Sequence, residues 1–167
     1  MRRKDKQIPE RARLEEVLAR ARVCRLAMAE EGPQGPVPYV VPVFFASRGD
    51  KLLVHCAKEG RKLDILARNP RVCIEVDECR AVFPADKPCA YSAVFRSVIA
   101  SGTAALVQDP EARRAALDLL MVKYAGRATG PGFEFSDATL QNTAVLEITL
   151  DQITGKQSPS WEEWSDQ

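Results

Sequence analysis

The sequence contains a single histidine, His55, and no pair of cysteines with CxxC spacing. The cysteines are scattered, at Cys24, Cys56, Cys73, Cys79 and Cys89. A structural zinc site needs about four thiolate or imidazole ligands at suitable spacings, so no metal site is expected. The thiols are interpreted instead as reduced and mostly buried, where they act as small hydrophobic side chains.

No charge of one sign dominates the chain. Its 24 basic and 23 acidic residues leave a net charge of +1, which does not indicate a nucleic-acid-binding protein. The apolar stretch YVVPVFFA (39–46) is too short to cross a bilayer as a helix. The basic start MRRKDKQIPE is not followed by the apolar segment of a signal peptide, so a cytoplasmic location is expected.

The length of 167 residues predicts one domain with a substantial core. We assign this domain to residues 1–158 and interpret residues 159–167 as a polar tail without a core signal. The tail contains Trp161 and Trp164. Their rings are suited to close over a groove of a partner subunit, and a frayed tail is the alternative.

Apolar periodicity predicts about six strands with a few accessory helices. The helices are expected at 10–21, 59–68 and 110–124, and the strands at 22–29, 37–47, 51–56, 71–77, 95–108 and 143–154. Most strands are joined by short links, and only two of the helices separate strands. This order favours a mainly β fold, an antiparallel barrel with helices packed outside, over a parallel sheet.

Individual residues refine this prediction. Pro38 and Pro42 require that part of 37–47 lie at a sheet edge or a bulge. Gly102 predicts a bulge or bend in the long strand that contains it. Asp109, followed by a proline, is typical of a helix start, and residues 78–90 are predicted to form a loop.

The stretch LLVHCAKEGRKLDIL (52–66) gathers the residues most suited to chemistry. His55 and Cys56 end a predicted strand, and Gly60, Arg61 and Lys62 begin a predicted helix. The free N–H groups of a first helical turn, together with a guanidinium and an ammonium, favour a phosphate group. The alternative interpretation is a pair of solvated surface cations beside a histidine that merely ends a strand.

Several segments resemble a known family, in the same order along the chain. They are MRRKD, ARVCRLAM, PYVVPVFF, VHCAKEGRKLDILARNPRVCIEVD, FRSVIASGTAALVQDPEARRAAL and TAVLEITLDQITGKQS. Together they resemble the 5-nitroimidazole resistance (Nim) branch of the pyridoxamine 5'-phosphate oxidase-related FMN-binding split-barrel superfamily. The resemblance covers the chain to about Ser158. It implies a homodimer of six-stranded antiparallel split barrels, with flavin held in grooves between the subunits.

The resemblance also implies the roles of individual residues. The candidates for cofactor binding are Tyr39, Val40, Val41 and Pro42 along the isoalloxazine ring, His55 and Cys56 at the ring or ribityl chain, Arg61 and Lys62 at the phosphate, and Arg96 and Ser97 on a strand that approaches the cofactor, in one version from the partner subunit. His55 is the candidate catalytic residue, since a neutral imidazole can relay a proton while reduced flavin delivers hydride. Tyr91, where relatives often have tryptophan, and the loop 127–135 depart from the family pattern.

The resemblance implies an FMN-dependent oxidoreductase that reduces a small electrophile such as a nitroimidazole or another nitroaromatic compound. FAD, a deazaflavin or haem are alternative cofactors. A non-catalytic flavin- or haem-binding carrier or sensor is the second hypothesis, with His55 as the haem ligand. A nucleic-acid-binding barrel, suggested by MRRKDK, is disfavoured by the net charge.

Overall fold

The computed structural model describes residues 3–163, most of which belong to one antiparallel sheet. Its strands are β1 (Gln7–Ile8), β2 (Cys24–Gly32), β3 (Gly35–Val43), β4 (Phe45–Arg48), β5 (Lys51–Ala57), β6 (Arg71–Phe83), β7 (Ser92–Leu106) and β8 (Thr143–Gln157). The helices are α1 (Arg11–Arg20), α2 (Arg61–Arg68), α3 (Pro110–Ala125) and α4 (Asp137–Asn142). No helix among these residues is long and apolar enough to cross a membrane.

The sheet curls back on itself. Its strand order is β3-β2-β6-β7-β8-β5-β4, and β1 adds to β8. Strands β3 and β4 therefore occupy opposite edges, yet only Phe44 separates them in the chain. The two edges must lie close together, which is the arrangement of a split barrel with accessory helices and confirms the predicted fold class. There are eight strands in the described chain instead of six, because 37–47 divides at Phe44 and Gln7–Ile8 adds to the sheet.

The main core fills the inside of the curled sheet. Strand residues that alternate inward supply most of it, including Leu26, Val54, Ile74 and Ile148, all almost fully buried. Helix α1 contributes its apolar face to this core. A smaller cluster lies outside the barrel, where α3 packs against the outward side chains of β4, β5 and β8. The barrel is thus solid, and a ligand must bind at its edges or its outer surface.

Several local predictions are confirmed. Strand β3 lies at the edge of the sheet, as its prolines require. The pairing of β7 with β8 shifts register between Ser101 and Gly102, and a Cβ at Gly102 would collide with the Thr149 carbonyl oxygen. The Asp109 carboxylate accepts the Ala112 N–H at 2.8 Å and caps α3.

The prediction of a loop over 78–90 and the prediction of mostly buried thiols are wrong in part. Residues 78–83 continue β6 instead of forming a loop, because the β6–β7 hairpin extends past a bulge between Cys79 and Ala81. The thiols are also not mostly buried, since Cys73, Cys79 and Cys89 are exposed. Cys73 and Cys79 occupy positions of β6 whose side chains alternate away from the core.

The segment after Ser158 contributes to packing, contrary to the expectation of no core signal. It forms a short 3-10 turn, Pro159–Trp161, in which the Trp161 side chain is only 5% exposed. The indole lies against two guanidinium groups, with its ring centroid 3.9 Å from Arg80 Cζ and 4.3 Å from Arg96 Cζ. Trp164 lies outside the described residues.

Candidate functional site

The sheet opens where β5 extends beyond the end of its pairing with β4. Strand β4 has only four residues and pairs with β5 as far as Phe45 opposite Val54. On its other side, β5 stays paired with β8 through Ala57. His55, Cys56 and Ala57 therefore have a strand partner on one side only. The opening in the split barrel lies beside these residues.

The outer edge of β3 offers very few backbone donors. In an antiparallel pair, alternate residues direct their N–H and C=O groups toward the partner strand, and the others direct them away. The alternate positions of β3 that face away from β2 are Pro36, Pro38, Val40 and Pro42. The backbone N and C=O groups of these four residues therefore lie on the free edge of the strand. Proline has no N–H. Val40 therefore holds the only amide donor on this edge between positions 36 and 42, and its side chain is 58% exposed.

The side chains of β3 divide between two faces. Tyr39 and Val41 pack against the main core together with Cys56 and with Leu63 of α2. Val40 and Pro42 point away from the core and are exposed. The structure therefore gives the predicted β3 residues two different surroundings: two line the barrel side, and two face outward along a free edge.

The start of α2 is built around Gly60, which has φ of 122° and no atom within 4 Å of a Cβ placed on it. This backbone conformation is open to glycine and strained for other residues. The Gly60 carbonyl accepts the N–H groups of Leu63 and Asp64 at 2.8 and 3.2 Å, and no side chain caps the helix. The N–H groups of Arg61 and Lys62 point out of the first turn, where the helix dipole favours an anion.

Arg61 connects this turn to the strands. Its Nε and Nη2 atoms donate to Glu30 Oε2 at 3.1 and 2.9 Å. Its guanidinium carbon lies 4.6 Å from the Tyr39 ring centroid. Both the Arg61 and Glu30 side chains keep contact with solvent, 54% and 29% exposed, so the pair is of the weak surface type. A phosphate group at this turn would compete with Glu30 for Arg61.

Desolvation and the charge of Lys62 both shift the pKa values of the residues at the end of β5. His55 keeps an exposed surface, but the atoms packed around its imidazole desolvate it in part and lower its pKa, and repulsion from the Lys62 ammonium lowers that pKa further. Burial raises the pKa of the Cys56 thiol, an effect that Lys62 opposes. At neutral pH His55 is therefore a neutral imidazole and Cys56 a neutral thiol. A neutral imidazole can both donate and accept a proton.

Arg96 does not join this group in the single chain. Its side chain is nearly buried and forms ion pairs with Glu78 Oε2 at 3.0 Å and Glu16 Oε1 at 3.4 Å, while its guanidinium stacks on Trp161. Ser97 lies on the outer face of the sheet, where it lines a shallow cavity of about 120 Å³ with Ile99 and Lys156. A role for Arg96 and Ser97 at the cofactor of a partner subunit stays a prediction.

Sequence reasoning missed Glu30. It lies in β2, next to β3, just beyond the predicted strand 22–29 and 31 positions before the arginine that it binds. The contact depends on the position of α2 relative to β2, and no local pattern in the sequence predicts that position. Among residues 3–163, no three histidine, cysteine or carboxylate side chains form a group that could hold a metal ion.

These residues suit a planar ligand with an anionic tail. The β3 edge offers one amide donor among carbonyl acceptors, the strand end offers a neutral imidazole, and the first turn of α2 offers two cations. A flavin with a phosphate-bearing tail would suit these residues: the two cations would hold the phosphate, and the Val40 N–H and the carbonyl groups of the β3 edge would meet the polar edge of the ring.

Comparison with known proteins identifies the family of this chain. The model of the family described as pyridoxamine 5'-phosphate oxidase matches residues 10–157. A structure of a candidate 5-nitroimidazole antibiotic resistance protein from Bacteroides thetaiotaomicron is 32% identical, over 90% of this chain and 85% of that chain, with a TM-score of 0.73. No curated protein matches the chain.

Two flavoprotein structures are also similar. The FAD and haem binding protein from Mycobacterium smegmatis is 25% identical, covers 97% of this chain and 77% of its own, and has a TM-score of 0.77. The flavocytochrome Anf3 from Azotobacter vinelandii, at 18% identity, covers 100% of this chain and 79% of its own with a TM-score of 0.78, which shows a shared fold. The family predicted from the sequence is confirmed: the chain belongs to the flavin-binding pyridoxamine 5'-phosphate oxidase family.

Proposed function

We propose that the protein is an FMN-dependent oxidoreductase that reduces small electrophiles of the nitroimidazole and nitroaromatic class. The observation that carries this proposal is that the Arg61–Lys62 turn of α2 connects two strands: the Arg61 guanidinium lies over Tyr39 of β3, next to the free Val40 amide, and the Lys62 ammonium acts on His55 at the end of β5. The likeness to a candidate nitroimidazole resistance protein supports the substrate class.

Each of these groups has a distinct part in binding. Arg61 and Lys62 hold the phosphate, and Arg61 exchanges its contact with Glu30 for one with a phosphate oxygen. The Val40 N–H and C=O bind the polar edge of the ring, where the neighbouring prolines leave no competing donor. A bound flavin supplies the hydride. His55, neutral at pH 7, passes a proton between solvent and the substrate.

We also propose that the protein is a homodimer. On β7, the residues that alternate away from the core leave Ser97, Ile99 and Thr103 at the surface, and Ile99 is 50% exposed. This face lies on the central strands of the sheet, where exposed apolar side chains usually mark a contact surface for another protein. A partner seated there would bring the Ser97 cavity to the other subunit's cofactor, as the family resemblance implies. Light scattering of Ile99→Asp should show monomers, whereas an unchanged dimer would refute this interface.

The phosphate assignment is tested with two flavins that differ only in that group. Arg61→Ala combined with Lys62→Ala should weaken FMN binding about 10- to 100-fold, because charge-assisted hydrogen bonds contribute about 1.5–3 kcal/mol. Riboflavin binding should change less than threefold. Arg68→Ala, at the other end of α2, is the matched control and should affect neither flavin. Equal losses for FMN and riboflavin would show that the two cations support the fold instead.

The ring assignment is tested at Val40. Val40→Pro removes the remaining amide donor of the free edge, and Val40→Ala keeps it while removing the side chain. Flavin binding should be lost in Val40→Pro and retained in Val40→Ala, with circular dichroism confirming that both variants fold. Equal flavin affinity in the two folded variants would contradict a role for this amide.

Catalysis is tested at His55. His55→Ala should still bind FMN but should no longer reduce a nitroimidazole, in an assay that monitors the decrease of the nitro absorbance under reducing conditions. Undiminished turnover would defeat the proton-transfer role. His55→Gln, which keeps a hydrogen-bonding side chain but cannot titrate, separates positioning of the substrate from proton transfer.

A second candidate function is a non-catalytic haem or flavin carrier. His55 is the single histidine of the chain and lies exposed at a sheet opening, so it is the imidazole available to haem iron. The likeness to a protein described as binding both FAD and haem favours this alternative. Addition of haem would then give a Soret band that His55→Ala abolishes, and a spectrum unaffected by that substitution would exclude this ligand.

A further inference from the structure

His55 continues a row of side chains on the outer face of the sheet. Because side chains alternate along a strand, His55 points to the same side as Leu53, two residues before it. Its cross-strand partner is Val145 of β8, whose side chain lies on that side as well. Leu53 and Val145 are almost fully buried in the smaller apolar cluster under α3, whereas His55 is exposed. The imidazole therefore lies at the open margin of this cluster.

The segment between α3 and β8 reaches the same margin. Phe135 and Leu140 pack against the cluster that contains the neighbours of His55, and both keep part of their surface in solvent. Strand β8 begins directly after α4, with Thr143 as the cross-strand partner of Ala57. Two residues along a strand span about 7 Å, which is the separation of Ala57 from His55. The end of α4 thus lies beside the end of β5.

The loop between α3 and α4 is fixed by several contacts of its own. The Asp118 carboxylate accepts the Thr129 hydroxyl, and also the Thr129 N–H at 3.4 Å. The Arg127 guanidinium carbon lies 4.0 Å from the centroid of the Phe133 ring. Gly130 and Phe133 exchange two backbone hydrogen bonds of 3.0 and 2.8 Å. Compact loops that are packed by their own side chains are frequently functional.

We infer that Phe135 and Leu140 form an apolar wall against which the aromatic ring of a nitro substrate packs beside His55, and that these two side chains select among substrates. This inference rests on the proposed function and names the residues that give it specificity. Small-molecule sites combine an apolar lining with a few polar groups that fix orientation. Here the wall supplies the apolar surface, and the imidazole at its margin supplies the polar group.

The test measures the binding of a nitroimidazole to the full chain loaded with FMN, without an electron donor, so that no reduction takes place. Binding is followed by the change in absorbance of the oxidised flavin. Phe135→Leu keeps an apolar side chain but loses the ring, and it should raise the Kd of the nitroimidazole about 3- to 10-fold. Leu140→Ala should also raise this Kd. In both variants the affinity for FMN should stay within about twofold of wild type, since neither residue belongs to the proposed phosphate turn.

Leu119→Ala is the matched control for packing. Leu119 of α3 packs against the same cluster, but it lines a separate cavity together with Ala46 and Ser47 of β4. This variant should lower Tm as Leu140→Ala does, and it should leave the nitroimidazole Kd unchanged. With an electron donor present, Phe135→Leu should raise KM and leave kcat nearly unchanged, because His55 is intact.

The outcomes separate this inference from the proposed function. An unchanged nitroimidazole Kd in Phe135→Leu and Leu140→Ala, or an equal rise in Leu119→Ala, would overturn the wall while leaving the flavin site standing. A lower kcat with unchanged KM in Phe135→Leu would overturn it as well. Failure of the wild type to bind FMN, or of the FMN-loaded wild type to bind the nitroimidazole, would overturn both proposals.

Discussion

Replacing Trp161 by alanine should destabilise the whole domain, although the residue lies a few positions from the end of the chain. The side chain is 5% exposed and stacks between Arg80 and Arg96. Truncation of a buried aromatic residue to alanine costs about 3–5 kcal/mol in the free energy of unfolding. Part of this loss comes from the cation–π contacts, which contribute about 0.5–2 kcal/mol each depending on their burial.

The expected loss is large enough to measure in two ways. For a chain of this size, 1 kcal/mol corresponds to about 2–4 °C in Tm, so Trp161→Ala should lower Tm by roughly 6–20 °C. Urea unfolding followed by far-UV circular dichroism should show a lower midpoint with an unchanged slope. Trp161→Phe, which keeps a ring between the two guanidinium groups, should lose less than half as much stability.

A second control concerns the residue that follows Trp161. Glu162 pairs with Arg13 at 2.7 Å in an exposed ion pair, and such pairs contribute about 0.2–1 kcal/mol. Glu162→Gln should therefore have a small effect. If the free energy of unfolding of Trp161→Ala lies within about 1 kcal/mol of the wild-type value, the reasoning is refuted. The ring is then not held between the two arginines in solution.

Three further predictions concern the barrel opening and the sheet. Lys62→Met should raise the pKa of His55 toward its ordinary value, because the repulsive ammonium is lost; proton NMR will show it as the titration of the single histidine, and an unchanged pKa would contradict the assigned cause. Glu30→Gln should tighten FMN binding about 1.5- to 5-fold by releasing Arg61 from a surface ion pair, and weaker binding in a fluorescence titration would show that Glu30 positions the guanidinium. Gly102→Ala should cost about 1–3 kcal/mol by overpacking against the β8 backbone, and an unshifted urea midpoint would contradict the observed bulge.

Much of the fold could be predicted from local sequence. Three predictions depend on patterns that span only a few residues, and all three are confirmed. They concern the alternation in RVCIEVD, the prolines of the β3 segment and the Asp-Pro start of α3. The end of β6 could not be predicted in this way. Residues 78–83 include charged side chains and precede two prolines, so their strand conformation depends on the pairing with β7 across the hairpin.

The same distinction between local patterns and contacts of distant segments applies to the site. The cationic first turn of α2 follows from its own residues, and in the structure the Arg61 guanidinium lies over the Tyr39 ring. The surroundings of Arg96 could not be predicted. An arginine is rarely buried without partners, and its carboxylate partners Glu16 and Glu78 come from α1 and β6. Contacts between such distant segments depend on how the whole sheet curls.

The proline-rich edge of β3 has a further consequence for the unliganded protein. An exposed strand edge can template the addition of strands from other molecules, which begins aggregation. With Pro36, Pro38 and Pro42 all presenting their nitrogen outward, an incoming strand finds one amide donor where a ladder needs several. The same proline spacing that leaves Val40 as the single amide donor of this edge thus protects the chain against strand-by-strand polymerisation.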